Sequence, residues 1–305
     1  MQPLIVKAFK KNRQMVLVVI KLYLSKVEMN SEGLLMALME GKKGIIFGVS
    51  NQKGIANAIA EQLFAQGADI AFTYANSQME SRVRPIAESM NSKLIIECDV
   101  TNEDAIKNVF NEYSKIYDSL DFVIHAVAFA NREDLQGDFS NISKAGWDLA
   151  LGVSAYSLIP MARYAKPLMK AGSTITALTY LGSVKAVANY NMMGVAKAAL
   201  ESSVRYLALE MGEIGIRVNA LSAGPVKTLA AKGIGGFDIM LKVAAKKAAL
   251  QRNVSLEDVG KSGLYLVSDL SSGVTGEVHY VDCGQNIVGM CRADAALAEV
   301  SLAEA

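Results

Sequence analysis

Two side chains capable of acid–base chemistry, the phenol of Tyr190 and the ammonium of Lys197, stand seven residues apart in this sequence. On a helix, seven residues make two turns, which places both side chains on one face. A phenol beside an ammonium can donate a proton or stabilise a developing oxyanion. A second phenol, Tyr180, lies ten residues upstream. Taken alone, the spacing also suits an ordinary amphipathic helix, so its interpretation depends on what the rest of the chain places nearby.

A candidate nucleotide-binding turn lies at the other end of the same stretch of chain. Residues 43–49 form an apolar run typical of a buried parallel strand, and residues 55–66 carry apolar side chains at helical spacing. Between them, Gly48 and Gly54 allow close approach of a pyrophosphate to the backbone at a helix N-terminus. The spacing is not Gly-x-Gly-x-x-Gly, so a tight structural turn is the alternative interpretation.

The following segments alternate between strand and helix patterns, which predicts a parallel sheet with right-handed crossovers. The expected strands are residues 69–74, 93–98 and 122–126, and the expected helices are residues 77–90 and 103–117. The predicted fold is therefore α/β: a single Rossmann-type domain whose doubly wound parallel sheet carries helices on both faces. Asp99 follows the third strand, where it could accept a hydrogen bond from an adenine amino group. The alternative is that Asp99 caps the helix that begins near Asn102.

Several motifs in order along the chain resemble the short-chain dehydrogenase/reductase superfamily, and specifically its enoyl-acyl-carrier-protein reductase branch. Ordinary members carry Tyr-x3-Lys, but the residue four before Lys197 is Met193, which cannot donate a proton. The enoyl reductase branch uses Tyr-x6-Lys, which Tyr190 and Lys197 match. The resemblance runs from about Met39 to Met290 and is carried by residues 48–51, 72–74, 98–100, 178–182, 217–220 and 223–230.

The resemblance implies NADH-dependent reduction of a trans-2-enoyl group on acyl carrier protein, the last step of each round of fatty-acid elongation. It implies that Tyr190 hydrogen-bonds the thioester carbonyl, that Tyr180 is a second active-site tyrosine, and that Lys197 holds the nicotinamide ribose. Ala130 would touch the acyl substrate. Further cofactor contacts would come from Gly48, Gly54, Ile55, Asp99, Val100, Val127, Val226, Lys227, Thr228, Leu229 and Ala230. Family members are usually homotetramers, and we expect the same here.

Residues 226–247 interrupt the regular alternation with a stretch rich in alanine and glycine. Ile234, Phe237 and Met240 stand there at helical spacing, and the glycines make opening of the backbone inexpensive in strain. We interpret the segment as a mobile lid over the acyl chain, with these three side chains as substrate contacts. A plain surface helix is the alternative. Some family members have basic residues in this stretch that are proposed to contact the acidic carrier protein, but residues 235–239 of this sequence contain none. Docking of the carrier protein would therefore depend on Lys232, Lys242, Lys246 or Lys247.

Composition bounds the remaining possibilities. The 305 residues are 51% hydrophobic and carry a net charge of +1, which suits one α/β domain and predicts no nucleic-acid surface. Three cysteines show neither metal-ligand spacing nor a disulfide framework, so we expect no bound metal and a protein located in a reducing cytoplasm.

The chain divides into three predicted parts. Residues 39–290 would form the reductase domain and residues 291–305 a flexible tail. Residues 1–38 would be a basic extension outside the fold; a membrane anchor is the less favoured alternative.

Two other functions fit parts of this pattern. A carbonyl (3-oxoacyl) reductase of the same fold would need a tyrosine where Met193 stands. A non-catalytic dinucleotide-binding sensor would have no use for a proton-handling set made of Tyr180, Tyr190 and Lys197. His125 ends a predicted strand near the expected cofactor, and we interpret it as a packed core residue rather than a catalytic one.

Overall fold

The protein is described by a computed structural model that covers residues 37–228 and 237–290. Seven strands in these residues form one parallel sheet in the order β3-β2-β1-β4-β5-β6-β7. The strands are β1 Lys43–Phe47, β2 Asp69–Tyr74, β3 Ile95–Glu97, β4 Phe122–His125, β5 Thr174–Thr179, β6 Arg217–Ala223 and β7 Val278–Val281. The α-helices are α1 Ile55–Ala65, α2 Ser77–Ser89, α3 Glu103–Ser114, α4 Lys144–Leu151, α5 Leu158–Ala165, α6 Asn191–Gly212, α7 Phe237–Lys247 and α8 Leu256–Val267.

Helices cover both faces of the sheet, and one apolar cluster lies between the helices and the sheet on each face. One cluster joins α3, α5 and α6 to the sheet, with Val109, Met161 and Leu200 among its fully buried members. The other joins α1, α2 and α8 to the opposite face, through residues such as Ile59 and Val83. The predicted fold class is confirmed. Strand order reverses between β1 and β4, and ligands of such sheets bind beyond the strand ends at this switch point.

The predicted element boundaries differ from the observed ones where tertiary pairing decides them. The strand expected over residues 93–98 is only Ile95–Glu97, because β3 lies at the sheet edge and pairs with β2 alone through three residue pairs. Tyr190 was expected inside a helix but stands at its N-cap, one residue before α6 begins. The helical spacing to Lys197 is therefore kept only approximately.

Ordered packing is present near the start of the described residues. Met39 is 1% exposed, belongs to the cluster beneath α1, and donates its backbone N–H to the Gln66 carbonyl at 2.9 Å. Residues 1–36 of the predicted extension and the predicted tail, residues 291–305, lie outside the described residues. In the part of the chain that the structure describes, no helix has the length and apolar character needed to cross a bilayer. The division into extension, domain and tail stays a prediction.

Candidate active site

A cavity of about 510 Å³ opens at the carboxyl ends of β1, β4, β5 and β6. Twelve of the predicted site residues line it: Gly48, Gly54, Ile55, Val127, Ala130, Tyr180, Tyr190, Lys197, Val226, Thr228, Phe237 and Met240. The switch point of the sheet, the glycine turn and both tyrosines therefore share one space. Its volume is in the range of small-molecule and cofactor sites.

The glycine turn after β1 has the geometry of an anion cradle. Gly48 has φ +95°, and a Cβ at this position would collide with the carbonyl of Ala126, so only glycine fits. Gly54 is the N-cap of α1 and gives that helix no side-chain capping bond. The first N–H groups of α1 therefore face the cavity mouth without a side-chain cap, as a pyrophosphate requires. Ser50 and Asn51, which we did not predict, also line this end.

Lys197 presents a buried ammonium to the cavity. The side chain is 5% exposed, and Nζ donates to the Leu178 carbonyl at 2.6 Å. Burial lowers the pKa of Lys197 to about 8, and the carboxylate of Glu201 opposes that shift. A lysine ammonium has three N–H donors, and only one is used for Leu178. The remaining donors of this buried ammonium can bind the vicinal hydroxyls of a ribose.

Tyr190 is held by an unusual stretch of backbone. Its neighbours Asn189 and Asn191 have φ +61° and +28°, a region that asparagine tolerates better than most residues. Gly182 packs against the ring: a Cβ there would lie 2.5 Å from Cδ1 of Tyr190. Burial raises the pKa of Tyr190, with a smaller contribution from Tyr180. The phenol consequently stays protonated and can donate to an oxyanion.

The two predicted active-site tyrosines, Tyr180 and Tyr190, contact each other edge to face. Their ring centroids lie 4.9 Å apart with an interplanar angle of 70°. Burial, followed by the charge of Asp282, raises the pKa of Tyr180. The Tyr180 hydroxyl lies 4.0 Å from the sulfur of Met240, so α7 reaches this end of the cavity. Phe237, which is 8% exposed, lines the same end.

Several predicted residues are not brought to the cavity wall. The Asp99 carboxylate accepts from the backbone N–H and the hydroxyl of Thr101, and Asn102 rather than Asp99 caps α3. Val100 lines a separate cavity of about 270 Å³ between α3 and α4. Lys227 is exposed and pairs with Asp238 at 3.5 Å. Leu229, Ala230 and Ile234 lie outside the described residues. For all these positions the cofactor or substrate role stays a prediction.

Sequence reasoning missed a serine that supports the loop after β4. Ser154 Oγ accepts from the N–H of Phe129 at 2.9 Å and donates to its carbonyl at 3.1 Å. These two hydrogen bonds fix the loop that carries Phe129 and Ala130 to the short π-helix Gly152–Tyr156. The partners are 25 residues apart in the chain, and no local motif signals such a contact.

His125 is a packed core residue, as the sequence interpretation held. It is 0% exposed, and Nε2 lies 2.8 Å from the Ser157 hydroxyl. Burial lowers the pKa of His125 to about 3, with Lys197 adding to the effect, so the imidazole is neutral. Across residues 37–228 and 237–290, no group of three or more His, Cys, Asp or Glu side chains is arranged to hold a metal ion.

The sheet is doubly wound, and the glycine turn at its switch point leads into a helix without a side-chain cap. A tyrosine–lysine pair lies in the adjoining cavity. Together these features define a dinucleotide-dependent oxidoreductase of the short-chain type. Comparison with known proteins narrows the class. The family model described as "Enoyl-(Acyl carrier protein) reductase" matches residues 48–286. The chain belongs to the enoyl-(acyl carrier protein) reductase family.

Three similar proteins align with this chain over nearly their whole length. The enoyl-[acyl-carrier-protein] reductase [NADH] of Rickettsia prowazekii is 50% identical over 252 residues, covering 83% of this chain and 97% of the relative. The crystal structure of the Anaplasma phagocytophilum reductase in complex with NAD has a TM-score of 0.81 and 47% identity, over 83% of this chain and 97% of that one. The Bacillus cereus reductase with NADP+ and indole naphthyridinone has a TM-score of 0.81 and 46% identity, over 84% and 100%.

Proposed function

We propose that this chain reduces the carbon–carbon double bond of a trans-2-enoyl thioester carried on acyl carrier protein, using NADH. The observation that carries the proposal is the convergence of Tyr190 and Lys197 on one cavity beside the nucleotide turn. Met193, at the tyrosine position of ordinary short-chain reductases, also lines that cavity and has no proton to donate. This disfavours a carbonyl reductase.

The residues present fit a nicotinamide dinucleotide. Gly48 and the uncapped start of α1 would receive the pyrophosphate, and the Lys197 ammonium would hold the nicotinamide ribose. When bound, NADH supplies a hydride to the β-carbon of the enoyl group. Asp99, Val100, Val127 and residues 226–230 complete the proposed cofactor contacts.

Tyr190 would stabilise the charge that develops on the substrate. As the β-carbon gains its hydride, negative charge builds on the thioester oxygen, and a protonated phenol donates to it. The raised pKa of Tyr190 keeps that proton in place at physiological pH. The α-carbon of the resulting enolate then takes up a proton that originates from solvent, which completes the saturated thioester. Tyr180, packed against Tyr190, helps to hold the donor ring and lines the acyl path with Ala130, Phe237 and Met240.

The partner surface is best placed on α7. One side of this helix lines the cavity through Phe237 and Met240, while Lys242 and Lys246 are exposed. An acidic carrier protein docked there would deliver its thioester beside the tyrosines.

We also propose that the protein is a homotetramer in the cytoplasm. Support for self-association comes from α6, where Tyr206 and Leu209 are 75% and 74% exposed.

The function is tested by following NADH oxidation with two thioesters. Crotonyl thioester offers a conjugated double bond, and acetoacetyl thioester offers a ketone on a chain of the same length. We expect turnover with the first and little with the second. The reverse preference would assign a carbonyl reductase, and NADH binding without oxidation of either would favour a dinucleotide sensor.

We predict a preference for NADH over NADPH of about tenfold or more in kcat/KM, because the residues after β2 offer no cation to a 2′-phosphate. That segment is Tyr74-Ala75-Asn76-Ser77, and the Asn76 side chain is engaged in capping α2. Of the nearby cations, Arg84 pairs with Glu80. Steady-state kinetics with both cofactors check this. Comparable kcat/KM values would contradict it and direct attention to Arg82, which is exposed on α2.

Phe237→Ala should raise KM for long-chain enoyl thioesters by about tenfold and leave KM for crotonyl thioester nearly unchanged. Phe237 is buried against the acyl end of the cavity, which a four-carbon chain does not fill. Ile239→Ala on the same helix is the matched control, since Ile239 is 69% exposed. Equal effects of Phe237→Ala on both substrates would remove Phe237 from the acyl site.

A further inference from the structure

Glu201 is a buried carboxylate that the proposed chemistry does not use. It lies one turn along α6 from Lys197 and is 4% exposed. The hydroxyl of Thr179 donates to Oε1 at 2.6 Å. A carboxylate is rarely buried so fully unless a nearby positive charge and hydrogen bonds repay its lost hydration.

Two successive residues at the end of β5 tether the two charged groups of α6. The Leu178 carbonyl accepts from the Lys197 ammonium, and the next residue, Thr179, donates to Glu201. Tyr180 follows directly. The same short stretch therefore fixes the lysine, its neighbouring carboxylate and the second tyrosine relative to one another.

Glu201 is the negative charge that acts on Lys197, because the other titratable groups nearby are neutral. From β4, His125 is neutral because burial lowers its pKa to about 3. Tyr180 and Tyr190 have raised pKa values and add no negative charge. Within the described residues, Glu201 is the one charge that acts to raise the pKa of Lys197. From β7, Tyr280 is near enough for the charge of Glu201 to act on it. Burial first, and then that charge, raises the pKa of Tyr280, so it too is neutral.

We propose that Glu201 is a positioning residue: its charge keeps Lys197 protonated and directed at the nicotinamide ribose, so that NADH binding persists into mildly alkaline solution. The inference rests on the proposed cofactor role of Lys197. An ammonium is lost as pH rises through its pKa, and removing the nearby negative charge brings that loss to lower pH. NADH affinity should then fall at a lower pH than in the unchanged protein.

The test is the dissociation constant of NADH, measured by nicotinamide fluorescence from about pH 6.5 to about pH 10, on both sides of the lysine titration. Glu201→Gln removes the charge and keeps an oxygen for the Thr179 hydroxyl. Thr179→Val removes the hydroxyl and keeps the charge. We expect Glu201→Gln to move the alkaline loss of affinity down by about one pH unit, and Thr179→Val to leave its midpoint in place.

Glu201→Asp, whose carboxylate is one methylene shorter, should give an intermediate midpoint and carries the test if Glu201→Gln does not fold. An unchanged midpoint in the folded Gln or Asp variant would overturn the proposal. An equal shift in Thr179→Val would also overturn it, because the hydrogen bond rather than the charge would then be responsible. Absence of NADH binding by the unchanged protein would instead refute the proposed function, so the two failures are distinguishable.

Discussion

Replacing Tyr190 by phenylalanine should lower kcat for crotonyl thioester by about 10²- to 10³-fold, the usual effect of removing one oxyanion donor. The dissociation constant of NADH should change by no more than about twofold, because the proposed role of the phenol is in the transition state and not in cofactor binding. The ring itself remains, so its contacts with Gly182 and Tyr180 are preserved. Stopped-flow turnover and a fluorescence titration of NADH measure the two quantities separately.

Tyr156→Phe is the matched control for this variant. Tyr156 is 53% exposed and does not line the cavity that holds Tyr190, so its hydroxyl should not affect kcat. Full activity in Tyr190→Phe would show that another group stabilises the oxyanion, and Tyr180 would be the next residue to test.

Lys197→Ala should raise the dissociation constant of NADH by about 10- to 100-fold, the cost of losing charge-assisted hydrogen bonds from a buried ammonium. The loss should appear mainly in cofactor binding and only secondarily in kcat at saturating NADH. Arg205→Ala, which removes an exposed cation from the same helix, should leave the affinity unchanged. An unaltered dissociation constant in Lys197→Ala would mean that the ribose role is wrong.

Loss of stability must be separated from loss of binding in this variant. Removing Lys197 leaves Glu201 buried without a nearby positive charge, which should lower the free energy of unfolding. The double variant Lys197→Ala, Glu201→Gln removes the stranded charge as well. It should regain much of the lost stability without regaining NADH affinity. Recovery of affinity together with stability would contradict a direct contact between Lys197 and the cofactor.

The fold was predictable because its signals are local. β2 spans Asp69–Tyr74 as expected, since an apolar run between two turns is enough to define a central parallel strand. The alternation of strands and helices then restricts the topology to very few arrangements. The end of β3 was not predictable, because an edge strand is only as long as its single neighbour allows.

The candidate site was predictable only as far as its motifs reach. The spacing of Tyr190 and Lys197 located one part of the cavity wall, and Gly48 and Gly54 located the glycine turn that lines another part. Asp99 shows the limit of that approach, because a carboxylate past a strand end can equally form a turn with Thr101, as it does here. The support given to Lys197 by Leu178 was invisible in sequence, since it depends on how α6 packs against β5.

The position of hydride transfer tests the central claim most directly. The saturated product formed from crotonyl thioester and NADH deuterated at the transferring C4 position should be analysed by mass spectrometry and proton NMR. We predict one deuterium on the β-carbon in unlabelled water, and deuterium on the α-carbon when unlabelled NADH is used in heavy water. Cofactor deuterium at the α-carbon, or solvent deuterium at the β-carbon, would contradict hydride addition to the β-carbon followed by protonation of an enolate that Tyr190 stabilises.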